Sequence, residues 1–281
     1  MRLGVAAVCC CILLACSSAR AGRHRDEAPQ RIVSLAPSTT EALFAIGAGS
    51  LVVGVSRYCD YPPEARRLPK VGGFVDPSLE AILGLDPDLV VGARAPSNRG
   101  VVERLVASGI DVYFPPSESL RDVRAMLVGL GRRAHRTEQA ARVLARIDRD
   151  LAEIARAVRG RPRPRVLFVI GRHPLAVAGP SSFAGELVEL AGGVNVVRRG
   201  GAYPTLGLER VLELAPDVVI ESGHGETGPA IDWTRLATVP AVRDHRIERV
   251  DDVRIIRPGP RIAGGVAALA RVLHPGTIQP Q

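Results

Sequence analysis

The chain has 281 residues, of which 46% are apolar and 4% aromatic, and its formal charge is +8. This length is enough for one large or two small domains with a real core, and the composition is typical of a globular α/β protein. The charge does not indicate a nucleic-acid interface, because Lys70 is the single lysine and the arginines are scattered rather than interleaved with aromatic side chains. We therefore expect no nucleic-acid partner.

The first residues have the pattern of an export signal. Arg2 is followed by an apolar stretch at 5–14, and Leu-Leu-Ala-Cys at 13–16 ends it. About ten apolar residues are too few to span a bilayer but fit the core of a signal peptide, which we predict at 1–15. The ending resembles the bacterial lipobox, which implies a lipid on Cys16 and a periplasmic, membrane-anchored lipoprotein; a secretory signal cut elsewhere is the alternative. The polar residues at 16–30 predict a flexible tether.

Cysteine and histidine usage argues against a metal centre. Four of the five cysteines lie in the leader, so Cys59 stands alone in the folded body and no internal disulfide can form. The six histidines are dispersed, without the spacing of a zinc site. There is also no Gly-x-Ser-x-Gly elbow or phosphate loop, so we expect neither an enzyme nor a bound catalytic cofactor.

Short apolar runs alternate with amphipathic stretches through the first half of the chain. The pattern predicts strands at 32–35, 52–55, 89–92 and 112–114, and helices at 39–46, 79–85 and 101–107. Strands that alternate with helices in this way indicate a parallel sheet covered on both faces. We assign residues 31–136 to an N-terminal α/β lobe.

A single long helix is predicted in the middle of the chain. Its apolar positions recur at spacings of three and four over about six turns, which is longer than an ordinary helix. The run Arg-Pro-Arg-Pro at 161–164 ends it, because proline lacks an amide hydrogen. We assign 137–160 to a backbone helix; the stripe consists of Ala141, Leu144, Ile147, Leu151, Ile154 and Val158.

The second half repeats the plan of the first. Strands are predicted at 166–170, 218–221 and 247–250, and helices at 183–190, 208–214 and 262–272, which gives a C-terminal lobe at 161–281. The segment at 79–91, a helix, a Pro-Asp turn and a strand, recurs in step at 208–220. Gly-rich helix endings at 47–49 and 192–193 correspond as well, and suit left-handed caps. The sequence therefore predicts an internal pseudo-repeat.

Several motifs resemble those of the periplasmic cobalamin-binding proteins of ABC importers. They are Arg-Ile-Val-Ser-Leu-Ala-Pro-Ser-Thr-Thr-Glu at 31–41, Val-Gly-Val-Ser-Arg-Tyr-Cys-Asp-Tyr-Pro-Pro-Glu at 53–64, the repeated Leu-Glu motif, and Arg-Pro-Gly-Pro-Arg-Ile at 257–262. The resemblance runs from about residue 31 to 273. It implies two α/β lobes joined by one long helix, with the ligand in the cleft between them and a small hinge.

The resemblance also implies a ligand site. A corrinoid is large, flat and mostly uncharged, so it needs aromatic shelves and a few hydrogen bonders. Tyr58, Phe74 and Tyr203 match aromatic positions of the family, with packing in the core as the alternative for Phe74. Asp252, Arg254 and Arg257 lie in the stretch that contacts ligand from the second lobe, with solvated loop charges as the alternative. Cys59 or His173 as an axial cobalt ligand is a further hypothesis; a lone buried cysteine is the ordinary interpretation.

Partners follow from the same resemblance. In the family one glutamate on each lobe meets arginine pockets of the permease dimer, and the matching positions are Glu80 and Glu209. Each begins a helix, where the dipole favours negative charge, so helix capping is an alternative role. We expect a monomer that hands cobalamin to the permease and its ATPase subunits. Ala93 and Ala191 depart from the family pattern, which keeps a haem or ferric-siderophore receptor open, besides an exported interaction protein without a small ligand.

Overall fold

A computed structural model of the protein describes residues 28–223 and 229–278. The predicted signal peptide, Cys16 and the tether up to residue 27 lie outside this range. Within the described ranges, no helix combines the length and the apolar character that crossing a bilayer requires.

Lobe one contains a sheet of four parallel strands in the spatial order β2-β1-β3-β4. Every residue of β1 and β3 is buried, as expected for strands covered on both faces. The predicted strands and helices of this lobe are confirmed within about two residues at each end, the usual uncertainty of such boundaries. The strands are β1 Ile32–Ser34, β2 Val52–Val55, β3 Leu89–Val91 and β4 Asp111–Tyr113; the helices are α1 Pro37–Ala45, α2 Leu79–Gly84, α3 Arg99–Ala107 and α4 Leu120–Arg133.

The helix α4 was missing from the sequence prediction. Ser119 caps it by accepting the amide hydrogen of Asp122 at 3.1 Å, and Val123, Leu127 and Leu130 lie buried along one face. Apolar residues at this three- and four-residue spacing are the signal that could have revealed it.

The long helix is α5, Thr137–Val158, which begins at the predicted residue and ends two residues before the predicted end at 160. In its first turns the deepest residues are Ala140 and Val143, each one position before the predicted Ala141 and Leu144. After Val158 the backbone becomes extended, and Gly160 adopts a left-handed conformation at φ 75°.

Lobe two is built on five strands around β5. On one side of β5 lie the parallel strands β8 and β9; along the other edge run the antiparallel β6 and the parallel β7. The strands β6 and β7 and the helix α8 were not predicted, because two to four residues are too few to show a period. The elements are β5 Arg165–Gly171, β6 Ala176–Val177, α6 Phe183–Leu190, β7 Val194–Asn195, α7 Leu208–Leu214, β8 Val218–Ser222, α8 Pro240–Arg243, β9 Ile247–Val250 and α9 Ile262–Leu273.

One apolar core runs continuously through both lobes. It includes Leu127 of α4, Ile147 of α5, Leu187 of α6 and Leu269 of α9, with residues from both sheets. The helices pack in the chain of contacts α4 to α5, α5 to α9 and α9 to α6. A smaller core covers the outer face of each sheet. Because the inner core is shared, the two lobes are joined by packed side chains as well as by the covalent connection.

The pseudo-repeat appears in the structure as matched contacts. In lobe one the guanidinium of Arg31 donates to the carbonyl of Leu85 at 2.8 Å, and the Asp88 carboxylate accepts the Arg31 amide at 2.9 Å. In lobe two Arg165 donates to the carbonyl of Leu214 at 2.7 Å, and the Asp217 carboxylate accepts its amide at 2.8 Å. Each Pro-Asp turn therefore joins the end of one helix to the beginning of the central strand.

Candidate ligand cleft and docking surfaces

The carboxyl edges of the two sheets face each other. In parallel sheets the loops that follow the strands collect at one edge, which is where open α/β folds bind ligands. Arg257, in the loop after β9, contacts Glu41 of α1 and Asp60 of the loop after β2. Leu120, after β4, donates its amide hydrogen to Glu186 of α6 at 2.6 Å. The loops after β2 and β4 therefore oppose the loop at 251–261 and the beginning of α6, and Glu118 lines a cavity together with residues 180–182 and Arg198.

A network of ion pairs crosses between the lobes at this edge. The side chain of Glu41 is 2% exposed, and its oxygens accept hydrogen bonds from Arg257 at 2.8 Å and from Arg261 at 2.8 and 2.6 Å. Arg257 also donates to Asp60 at 2.7 Å. Arg261 lies 3.8 Å from the centre of the Tyr61 ring. A buried carboxylate of lobe one is thus held by two arginines of lobe two.

Electrostatics at the network favour the ionised form of Asp60. Burial by itself would raise the pKa of Asp60, but hydrogen bonding from Arg257 and its positive charge outweigh burial, and hold this pKa below the ordinary value.

The predicted charged ligand residues of lobe two all have partners within the protein. Asp252 accepts hydrogen bonds from the guanidinium of Arg254 at 2.6 to 3.0 Å, and Arg257 pairs with Glu41 and Asp60. Burial would raise the pKa of Asp252, yet the bonds from Arg254 keep it below its ordinary value. A ligand contact by any of these three side chains stays a prediction. Such a contact requires that the ligand either bind hydrogen-bonding atoms that the internal pairs leave free or displace one partner of a pair.

Tyr58 and Phe74 lie on two loops of lobe one that are fastened to each other. The amide of Arg57 donates to the Gly72 carbonyl at 2.9 Å, and its guanidinium forms an ion pair with Asp76. The same guanidinium lies 5.4 Å from the centre of the Tyr58 ring. Tyr58 is 53% exposed and Phe74 is half-buried, so neither ring is fully buried in the core. These loops give lobe one an aromatic surface at the cleft edge.

Tyr203 is on the opposing lobe. The segment around it runs beside β6, where Val177 donates to the Pro204 carbonyl at 3.0 Å and Gly179 to the Ala202 carbonyl at 2.8 Å. Burial, and then the neighbouring Glu118 carboxylate, raise the pKa of Tyr203 well above its ordinary value. Glu118 belongs to lobe one, so this hydrogen-bonded pair is a further contact between the lobes.

A polar cavity of about 570 Å³ lies beside this pair, between the start of α4 and the start of α6. Its lining contains the carboxylates of Glu118, Asp122, Glu186 and Glu189. In the described ranges, no group of His, Cys, Asp or Glu is arranged to hold a metal ion. The lining offers hydrogen-bond acceptors rather than an aromatic shelf.

The two hypothetical axial ligands occupy different environments. Cys59 is 2% exposed, and its sulfur lies 3.1 and 3.2 Å from the hydroxyls of Thr40 and Ser56, inside lobe one. The ordinary interpretation of Cys59 as a buried residue is therefore confirmed. His173 is exposed, with Nε2 lying 3.2 Å from the Pro229 carbonyl oxygen.

Glu80 and Glu209 occupy equivalent positions as the second residues of α2 and α7. Both are exposed, and neither carboxylate has a hydrogen-bond or ion-pair partner within residues 28–223 and 229–278. Two unpaired carboxylates at matched positions are available to an external partner.

Five residues at the cleft were not predicted from the sequence: Glu41, Asp60, Tyr61, Glu118 and Arg261. Glu41 and Arg261 lay inside the motifs quoted for the family resemblance, but periodicity does not reveal that two distant motifs meet. Glu41 as the single charged residue of α1 was the available signal.

A family model described as periplasmic binding protein matches residues 32–252. The chain belongs to this family. The binding protein is 33% identical over 268 residues to a cobalamin-binding protein of Halobacterium salinarum, a match that covers 90% of the chain and 72% of the relative. Members of the family named here are binding proteins rather than enzymes.

Two solved structures extend the comparison. The vitamin B12-binding protein BtuF of Vibrio cholerae superposes with a TM-score of 0.75 at 26% identity, covering 87% of this chain and 96% of that one. The periplasmic heme-binding protein BhuT, in complex with two hemes, gives 0.76 at 28% identity, covering 88% and 98%. Both confirm the predicted class of two α/β lobes around a long helix.

Proposed function

We propose that this binding protein captures a cobalamin-type corrinoid between its lobes and delivers it to the permease of an ABC importer. The observation that carries the proposal is the placement of Tyr58 and Tyr203, exposed by 53% and 47%, on the facing loops of the two lobes. Aromatic faces on opposite sides of a cleft suit a flat, mostly uncharged ring system. The cobalamin-binding relatives support this ligand.

The charges near the cleft are consistent with an uncharged ring. Glu41, Asp60 and Asp252 are neutralised by arginines of the same chain, so they do not form a cage for a charged ligand. We propose that Asp252, Arg254 and Arg257 offer their remaining hydrogen-bonding atoms to the amide side chains of the corrinoid. The ligand leaves chemically unchanged, so the proposed role is binding and release rather than catalysis.

The test of the aromatic shelf is to remove one ring at a time. Tyr58→Ala, Phe74→Ala and Tyr203→Ala are each expected to weaken cyanocobalamin binding by about tenfold, which corresponds to about 1.4 kcal/mol. Tyr113→Phe is the control, because the Tyr113 hydroxyl donates to the Ala125 carbonyl of α4 rather than to a cleft loop, so its loss should leave affinity unchanged. Wild-type affinity in all three shelf variants would move the site elsewhere.

Haem is the second candidate, and one residue favours it. Arg94, after β3, is exposed and its guanidinium has no partner within the described part of the chain. Haem carries two carboxylates, which a free guanidinium binds well. Arg94→Ala should weaken haemin binding and leave cyanocobalamin binding unchanged if haem is the natural ligand.

We further propose that Glu80 and Glu209 dock onto the permease dimer, one on each half. Their exposure and lack of partners support this role. Reversing both charges to lysine should abolish association with the importer and leave ligand affinity intact. Importer-dependent growth on cobalamin that survives both reversals would show that the assignment is wrong.

For location, we propose a periplasmic protein held at the membrane by a lipid on Cys16. The lipobox-like ending at 13–16 supports this. Cys16→Ser should move the protein from the membrane fraction to the soluble periplasmic fraction, which fractionation and immunoblotting measure. A variant that stays with the membrane would contradict the lipid anchor.

A further inference from the structure

Two leucines share the surface with the proposed docking glutamates. Among residues 28–223 and 229–278, Leu83 and Leu212 are the two most exposed leucines, at 37% and 41%. Single exposed apolar residues are normal on protein surfaces and need no explanation. Here the two exposed leucines occupy the same position of the pseudo-repeat, three residues after Glu80 and Glu209 respectively.

The burial pattern of the two helices repeats residue by residue. Ile82 of α2 and Val211 of α7, one position before the leucines, are fully buried and fix each helix on its sheet. Residues three apart on a helix are neighbours on its surface, so each glutamate lies beside its leucine. Each lobe therefore presents one free carboxylate and one adjacent apolar side chain.

Both pairs point the same way relative to their sheets. The end of α2 is fastened to the beginning of β1 by the bond from Arg31 to Leu85, and the end of α7 to the beginning of β5 by the bond from Arg165 to Leu214. The opposite ends of the helices, which carry Glu80 and Glu209, therefore lie toward the carboxyl edges, where the cleft opens. A partner that covers the cleft meets both pairs.

We infer that Leu83 and Leu212 are docking contacts, and that the partner offers on each of two similar halves a basic side chain next to an apolar pocket. This inference rests on the proposed delivery to a dimeric permease. The carboxylates give orientation and attraction, which are screened by salt, while burial of the leucines supplies attraction that salt does not screen. Two equivalent pairs on one molecule match two equivalent subunits in the partner.

The experiment measures binding of the ligand-loaded protein to a cobalamin importer, permease dimer with ATPase subunits, in lipid nanodiscs. Leu83→Ser and Leu212→Ser are each expected to weaken association by about tenfold, and the double variant by about a hundredfold. Leu83→Met and Leu212→Met should keep wild-type association, because they retain the apolar contact. Val106→Ser is the matched control, since Val106 is 54% exposed on α3 outside the repeat position.

The salt dependence separates the two components. At high ionic strength salt screens the carboxylates, so the residual association should depend on the leucines. Under that condition the affinity for the importer should fall by a larger factor in the serine variants than in the Glu80→Gln and Glu209→Gln variants. Thermal unfolding and cyanocobalamin titration of each variant establish that fold and ligand site are intact.

The outcomes distinguish this inference from the proposed function. If the serine variants associate like wild type while the glutamine variants do not, the leucine contacts are refuted and delivery to the importer stands. If wild-type protein does not associate at all, both fail. If light scattering finds a wild-type dimer that the serine variants convert to monomers, the patch binds a second copy of this chain and the inference is overturned.

Discussion

Arg261 of lobe two donates two hydrogen bonds to the Glu41 carboxylate of lobe one, from Nε at 2.8 Å and from a terminal nitrogen at 2.6 Å. This fork geometry fixes both the distance and the angle between the groups. Because Glu41 belongs to α1 and Arg261 immediately precedes α9, the pair defines how closely the carboxyl edges of the two sheets approach. We therefore expect this ion pair to set the spacing of the loops around the proposed ligand cleft without itself touching the ligand.

Loss of the Glu41 carboxylate should be costly. Glu41→Ala leaves the largely buried guanidiniums of Arg257 and Arg261 without their shared partner, and breaking a buried pair in this way costs about 3 to 5 kcal/mol. Urea unfolding should report this fall in the free energy of unfolding. Glu103→Ala, which removes an exposed ion pair with Arg99, is the control and should change stability by less than about 0.5 kcal/mol. Equal stability of the two variants would contradict the importance of the network.

Acid should weaken the protein through Asp252. The folded-state pKa of this carboxyl lies below its ordinary value of 3.8, so its pairing with Arg254 stabilises fully above that value. The contribution is lost as pH falls through the lower folded-state pKa. Asp252→Asn should therefore be less stable than wild type at about pH 6, with the difference shrinking as the pH falls below the ordinary carboxyl pKa of 3.8. A difference that is independent of pH would refute the role of this ionisation.

The backbone at Ala215 offers a stabilising substitution. This alanine adopts the left-handed conformation at φ 39°, which glycine tolerates without the clash of a Cβ atom. Ala215→Gly should raise the free energy of unfolding by about 0.5 to 1 kcal/mol. Ala152→Gly, on the exposed face of the long helix, is the matched control and should lower it by about the same amount. Destabilisation by both substitutions would mean that the left-handed strain is not relieved.

Much of the fold could be predicted because local sequence patterns indicate most of its helices and strands. The long helix, assigned to 137–160, is Thr137–Val158 in the structure, so its first residue was predicted and its end lies two residues earlier, since its stripe is long and a Pro-rich run follows it. The left-handed caps expected at Gly47 and Gly192 are confirmed at φ 75° and 85°. The strands β6 and β7 of lobe two could not be predicted from the sequence, because two residues are too few to show a period.

The cleft was harder to predict than the fold. Tyr58 and Tyr203 could be proposed from resemblance, yet their relation across the cleft depends on packing between elements about 145 residues apart in the chain. The same holds for Glu41, whose partners follow in the chain by 216 and 220 residues. Asp252 and Arg254 were proposed as ligand residues from their position in the chain. In the structure their side chains form an ion pair with each other.

Calorimetric titration of the leaderless protein with cyanocobalamin, with haemin as the competing ligand, tests the central claim most directly. We predict one corrinoid per protein, bound with at least micromolar affinity, and weaker binding by Tyr58→Ala and by Tyr203→Ala. Saturable binding of haemin that Arg94→Ala weakens, without detectable binding of cyanocobalamin at micromolar protein, would contradict it.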